Sequence, residues 1–584
     1  MRTVPSVPIK PAQVATATSA KTLALDKLAP HEDRISARPL CLPEQSRPEL
    51  YLAGALFLLS FLYLCIFRHH TDMDPDEGIV LQGAQRILAG QVPYRDFFSF
   101  YTPGSYYAVA LVFRIFGSSL AVARTAVALA GALLSAVSYL LARRVCSRTV
   151  AFTLAVLGTL TTLPYRFLVL HNWDSTLWAC LALYCAVRVL EKPAWTWTFA
   201  VGLFASLTVL FEQSKGAGLC LGLGMGFLAI WCVDGRERWP SRPQFLALII
   251  GFAIPFAITF AYFASQHAAS IMLADWLWPL RHYSQANRVP YGYQNWSDET
   301  RHVLFGTGSL PGWLVKTVAV SPCFWIPALP VVAVGWLGYW LVRAARGRSG
   351  EGRPAEAKIA YYILVAAVYV GLVLSVVITR ADIVHFMYLQ PLNCLVVAWL
   401  LDGADVPGRL FRSVRPFLAA YVVIALLAFG MALLAATTSA RERLATRRGT
   451  VTTREKDTVV DYFQAQVAEG ATVLVYPYLP LYYYLTGTFS PGRYDYFQPG
   501  MNTREQTDEM VRELASRRVD TVLFEPNFSD KVARSWPGTP LTAIAEDPVA
   551  DYIVRNYRAC RALSSPAEWR FLFMVRKDTP CPKD

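Results

Sequence analysis

The chain has 584 residues, 54% of them hydrophobic and 17% charged, with a formal net charge of +13. A soluble domain carries about 25% charged residues, so this composition and a mean hydropathy of +0.33 exclude an ordinary water-soluble globule. No soluble basic face accompanies the positive charge, which argues against a nucleic-acid-binding protein.

Residues 1–49 are polar and contain several prolines but no apolar signal core, so they read as a flexible cytoplasmic tail. From 50 onward, apolar runs of about 20 residues recur, the length that crosses a ~30 Å hydrocarbon core. The expected spans are 50–67, 123–142, 149–165, 172–190, 197–211, 216–233, 244–264, 313–342, 358–378, 385–401 and 416–437. The segment 106–116 is too short to cross and contains Arg114, and is expected to lie in the interface.

The first loop is the richest stretch. Asp72, Asp74, Asp76 and Glu77 precede a helix whose apolar stripe is Ile79, Val80, Ala84, Ile87 and Leu88. That helix is too short to span and is expected to lie flat on the membrane. Pro75 suits the first helical position, so Asp74 is the expected N-cap and Glu77 its capping-box partner. Capping accounts for Asp74 and Glu77 without a function; Asp76, one position on, has no required capping role. Val92-Pro93-Tyr94-Arg95-Asp96-Phe97 and Tyr101-Thr102-Pro103-Gly104 follow.

Three later places combine charge with an expected membrane boundary. His171 and Asn172 open one span, and Glu212-Gln213-Ser214-Lys215 separates two others. Lys215 either reaches a substrate phosphate or snorkels from a helix end. The loop 265–312 carries Arg281, His282, Tyr283, Arg288 and Tyr291, as substrate contacts or as an aromatic belt. The turn Thr379 to His385 holds Arg380, Asp382 and His385, which are costly at membrane level unless paired or functional.

From about residue 438 the pattern becomes that of a soluble α/β domain. Val459, Val460, Phe463 and Val467 recur at helical spacing, and Thr472–Tyr476, Asp520–Phe524 and Phe571–Val575 read as strands. Thr503 with Gln506 forms a capping-box signature. Tyr482, Tyr483 and Tyr484 are either a sugar-stacking surface or belt residues. The expected organisation is a tail (1–49), a membrane domain (50–437) and a C-terminal α/β domain (438–584). The fold class is thus a polytopic all-α membrane protein of about eleven transmembrane helices, with juxtamembrane helices in the first outer loop.

Charge sets the expected sidedness. The loops 143–148, 234–243, 343–358 and 402–415 hold 14 Lys/Arg in 46 residues, against 7 in 103 for loops 68–122 and 265–312. The first set is therefore expected in the cytoplasm, with the C-terminal domain outside an inner or plasma membrane. Cys560 and Cys581 are the only cysteines of that domain, and an oxidising compartment would pair them.

The carboxylates after the first span, the Pro-Tyr-Arg-Asp-Phe turn, Tyr101 to Gly104 and the Arg380-x-Asp382-x-x-His385 turn together resemble the GT-C superfamily. The likeness is to the protein O-mannosyltransferase and aminoarabinose transferase (ArnT-like) branch and covers 72–401. The resemblance implies an inverting glycosyltransferase that takes a sugar from a polyprenyl-phosphate carrier, with a first-loop Asp-Glu pair matching Asp76 and Glu77. Transfer from a lipid phosphate needs one base for the acceptor hydroxyl and positive charge for the leaving phosphate. The candidates are Asp76 as base, Glu77 and Asp96 beside it, and Asp74, Arg380, His385, Lys215, Arg281 and Tyr94 for substrate. No cofactor and no metal site are expected, since no CxxC or Cys/His cluster occurs. The expected partners are the lipid-linked sugar, an unidentified glycan, lipid or protein acceptor, and the bilayer. A polysaccharide polymerase or ligase, a secondary transporter and a non-catalytic envelope-assembly protein remain alternatives. A transporter would place its ionisable groups near mid-membrane instead of at the surface.

Overall fold

The computed structural model describes residues 47–234, 241–296, 298–306, 309–347, 355–403, 409–498, 500–539, 546–566 and 569–582. The tail expected over 1–49 lies outside the described residues except for its last three. The expected spans fall on helix, and among the described residues seven helical segments are long and apolar enough to cross a membrane. The chain is an integral membrane protein. The expected span 313–342 is broken: Leu310–Val320 ends before Pro322, and a short turn, Ile326–Ala328, precedes Leu329–Gly347. Prolines 322, 327 and 330 remove the backbone donors that a continuous helix would need there.

Small residues allow close helix approach in the bundle. Gln213–Asp234 packs along Ala355–Thr379, and a Cβ on Gly371 would stand 2.2 Å from the Gly218 carbonyl oxygen. That contact brings two membrane helices together backbone to backbone.

Gly104–Phe116 is a 13-residue helix. At 1.5 Å per residue it is about 20 Å long, too short to cross. The preceding helix, Pro75–Leu88, differs from expectation. It is not exposed at a surface, because Glu77 through Ala84 and Arg86 are all buried. The C-terminal domain covers it: a Cβ on Gly78 would stand 2.1 Å from the Leu481 nitrogen, so only glycine admits that crossing. Its polar side chains are matched there, Gln82 donating to the Thr488 carbonyl at 3.3 Å and Arg86 to Asp495 at 2.7 Å.

The C-terminal domain contains a four-stranded sheet in the order Leu474–Tyr476, Thr521–Phe524, Trp569–Arg576, Tyr557–Ser565. The first pair is parallel and the others antiparallel. All three strands read from apolar runs are in it, and the Thr503–Gln506 capping box opens Arg504–Ser516. A separate hairpin, Glu442–Thr446 with Gly449–Thr453, reaches the first loop: Thr71 N–H donates to the Thr452 carbonyl at 2.9 Å and Thr452 N–H to that of His69 at 2.7 Å. Tyr482, Tyr483 and Tyr484 lie in the helix Leu481–Thr486, fully buried, so they form neither a sugar surface nor a belt. Cys560 and Cys581 form a disulfide with Cα atoms 5.6 Å apart.

Candidate active site

The first loop, the breaks at 166–172, 212–215 and 379–385, the loop 265–296 and the C-terminal domain meet at one end of the bundle. They enclose a cavity of about 1170 Å³. Asp74, Asp76, Arg380 and His385 line it; Glu77, Asp96, Tyr94, Lys215 and Arg281 do not.

Asp74 caps the Pro75–Leu88 helix, its Oδ1 accepting from the Asp76 N–H at 3.0 Å. The expected capping box is absent, because Glu77 turns the other way. Glu77 is fully buried and takes a forked pair from Arg124 at 2.8 and 2.6 Å, plus the Val169 N–H at 3.0 Å. It ties the first loop to the helix Leu120–Ala142 and to the turn before His171. One position earlier, Asp76 faces the cavity with its side chain 40% exposed.

Arg166 bridges Asp74 and Asp76, its Nη2 standing 2.9 Å from Asp76 Oδ2. The other Asp76 oxygen accepts the Tyr478 hydroxyl at 2.7 Å. Burial pushes the Asp74 carboxyl up to about 6; Arg166 opposes this, and the charges of Asp76 and Glu77 add to it. Arg166 and Tyr478 were not among the sequence candidates. Arg166 carried a usable signal, being an arginine in a turn on the side where basic residues are sparse.

Asp96 and Tyr94 build the turn after the first-loop helix. Asp96 accepts from the Val92 N–H at 2.7 Å and from Arg95 at 2.8 Å. Tyr94 adopts φ 71°. Its hydroxyl donates to the Tyr101 carbonyl at 2.8 Å and accepts from the Trp276 indole at 3.0 Å. Tyr94 thus holds the wall that Tyr101 and Trp276 present to the cavity, while Asp96 fixes the turn that carries Tyr94. Arg281 is exposed, away from it.

The turn 379–385 supplies the opposite side. Arg380 donates from Nε to Asp382 at 2.6 Å, from Nη1 to Asn287 at 3.0 Å and from Nη2 to the Ser535 carbonyl at 2.6 Å. Asp382 caps the short helix Ile383–Met387 and meets His385 Nδ1 at 2.6 Å, which leaves His385 Nε2 for the cavity. Burial favours the neutral Asp382 carboxyl, but His385 and Arg380 outweigh it and hold the group well below the usual carboxylate range. Lys215 does not reach the cavity. It is 1% exposed and bonded to the Asn172 carbonyl, Ser175, Thr176 and Glu212.

Below these groups the cavity becomes apolar. Leu221, Leu374 and Ile378, from the helices that meet at Gly218 and Gly371, line it with Leu277 and Leu280. All five are exposed, Ile378 to 65% and Leu280 to 67%. No group of three or more His, Cys, Asp or Glu side chains suited to hold a metal occurs among the described residues.

Residues 101–262 match the family model of the dolichyl-phosphate-mannose-protein mannosyltransferases. That independent match falls inside the stretch that resembles GT-C glycosyltransferases, and includes Arg166, His171 and the 212–215 break. The solved structures to which the chain is similar include two of ArnT from Cupriavidus metallidurans. The one bound to undecaprenyl phosphate is 14% identical with a TM-score of 0.47, covering 92% of this chain and 99% of that one. The apo structure is 13% identical with a TM-score of 0.46, covering 90% and 98%. No curated protein sequence matches the chain significantly.

Proposed function

We propose that the protein is an inverting glycosyltransferase that moves a sugar from a polyprenyl phosphate to an acceptor hydroxyl on the outer face of the membrane. The observation that carries this reading is the composition of this cavity. An exposed apolar channel on two membrane helices leads to Arg380 and His385, and Asp76 stands in the same space. Such a path suits a ligand with a long hydrocarbon chain joined to a phosphate. The family match at 101–262 supports the same class.

In the reaction, the acceptor oxygen attacks the anomeric carbon as the bond from that carbon to the phosphate oxygen breaks. Asp76 takes the acceptor proton, and the polyprenyl phosphate leaves with the bonding electrons. Arg380 retains N–H groups beyond the three bonds described, and these, with His385 Nε2, stabilise the departing oxygens. The positive-inside count supports the assignment of the cavity to the outer face.

The test is turnover of radiolabelled polyprenyl-phosphate sugars by the purified full chain in nanodiscs with chelator present and an envelope extract as acceptor. Transfer of label with release of free polyprenyl phosphate is expected. Label that crosses the membrane without transfer would replace this reading with transport.

A further inference from the structure

The two halves of the cavity are joined by the C-terminal domain. Tyr478, 402 positions from Asp76, donates to Asp76 Oδ1, while Arg166 holds Oδ2. Three rings of the same domain clamp the Tyr478 ring: Tyr496 and Trp536 edge-on, each at 5.5 Å, and Phe528 at 6.0 Å. Trp536 then passes the connection on. Its indole N–H donates to the Tyr283 hydroxyl at 2.8 Å, and that hydroxyl donates to Asn287 Oδ1 at 3.1 Å. The same Asn287 oxygen accepts from Arg380, and the adjacent Ser535 carbonyl accepts from Arg380 directly.

A carboxylate has about four lone-pair sites. With one donor it pivots about that bond; with donors on both oxygens it is fixed, and sites remain for an acceptor proton. Burial and the Asp76 charge push the Tyr478 phenol well above its ordinary value, so it stays protonated and donates.

We propose that the C-terminal domain is part of the active centre and that Tyr478 is the positioning residue that holds the Asp76 carboxylate in line with Arg380. This rests on the transferase reading above. Several residues of the domain line the cavity, and among them Tyr478 and the segment Phe528 to Trp536 give the base and the phosphate-binding arginine a common frame.

Other titratable groups also face Asp76, namely Asp74 and Arg166 beside it, and Tyr101, His171, Tyr283 and Tyr388 around the cavity. They remain in place in a Tyr478→Phe variant, which loses only a hydroxyl and keeps the ring packing. The expected result is a fall in kcat of about 10-fold to 100-fold, the range for a hydrogen bond to a charged group. Donor KM stays near wild type. The acidic limb of the kcat/KM profile moves to higher pH, because the ionised carboxylate has lost a donor. A fluorotyrosine at 478, a stronger donor of the same shape, moves that limb to lower pH. Unchanged kcat with an unmoved limb in both variants overturns the positioning role, as does a fall in kcat with the limb unmoved. Wild-type turnover that is abolished by Asp76→Asn, alongside an unaffected Tyr478→Phe enzyme, would sink this inference alone. No turnover by wild type would instead sink the transferase reading.

Discussion

Two polar breaks between membrane helices look alike in the sequence: Glu212 to Lys215, and Arg380 to His385. Each pairs a cation with a carboxylate a few positions away. In the structure they are opposites. The Lys215 ammonium has three protons, and three neutral oxygens as well as Glu212 surround it, so it has nothing left to offer a ligand. The Arg380 guanidinium has five N–H groups and spends one from each nitrogen on the protein. The lesson is to count protons rather than charges: a buried lysine closes on itself, whereas a buried arginine can be both anchored and available.

The scale for testing this contrast is set by the base, which the reaction needs whichever break binds phosphate. Asp76→Asn should lower kcat by about 10²–10⁴-fold with donor binding nearly intact. Activity within a few-fold of wild type would move the base elsewhere and leave neither break tied to chemistry.

Lys215→Met comes next. It strands Glu212 without its cation in a buried site, which should cost about 3–5 kcal/mol of stability. Adding Glu212→Gln should restore part of it. Thermal unfolding in detergent reads both. A Lys215→Met protein of normal stability with lost donor use would break the contrast, because Lys215 would then be working on substrate.

Arg380→Lys keeps the charge and loses the fork. Donor kcat/KM should fall about 10-fold, the lower range for one charged hydrogen bond, with acceptor KM little changed. Equal losses at both breaks would show that the second is a structural pair like the first.

The smallest effect concerns Asp74. Its folded-state carboxyl titrates near 6, above the ordinary aspartate value. The folded protein therefore holds this proton more tightly than the unfolded chain, and the group's destabilising contribution is full above about pH 6 and relieved as pH falls toward 4. The Tm of wild type minus that of Asp74→Asn should rise between pH 7 and pH 5. A flat difference would mean that Arg166 compensates Asp74 completely.

Local pattern carried most of the fold. Apolar length placed each span on helix, and capping chemistry placed the starts of Pro75–Leu88 and Arg504–Ser516. The site was legible only where its residues share a short segment, as Asp74 with Asp76 and Arg380 with His385 do. What was missed depends on contacts between distant segments. Arg166 meets acids about 90 positions upstream, and Tyr478 meets Asp76 across 402. Glu77 shows the converse, since its local pattern suggested a cap and a site role while Arg124, 47 positions on, claims it for the core. The cover over the Pro75–Leu88 helix was missed for the same reason: amphipathicity marks a face to be covered but not what covers it.

The hydrogen bond from Arg380 to residue 535 has a consequence for how this chain tolerates change. Its acceptor is a main-chain carbonyl, which every amino acid possesses. Replacing the Ser535 side chain leaves the acceptor in place, so residue identity there is free to drift. Length is not. One residue added or removed between Phe528 and Trp536 would shift that carbonyl out of reach of Arg380 and the Trp536 indole out of reach of Tyr283 in a single event. Along this segment, related chains should vary in letters while keeping their spacing.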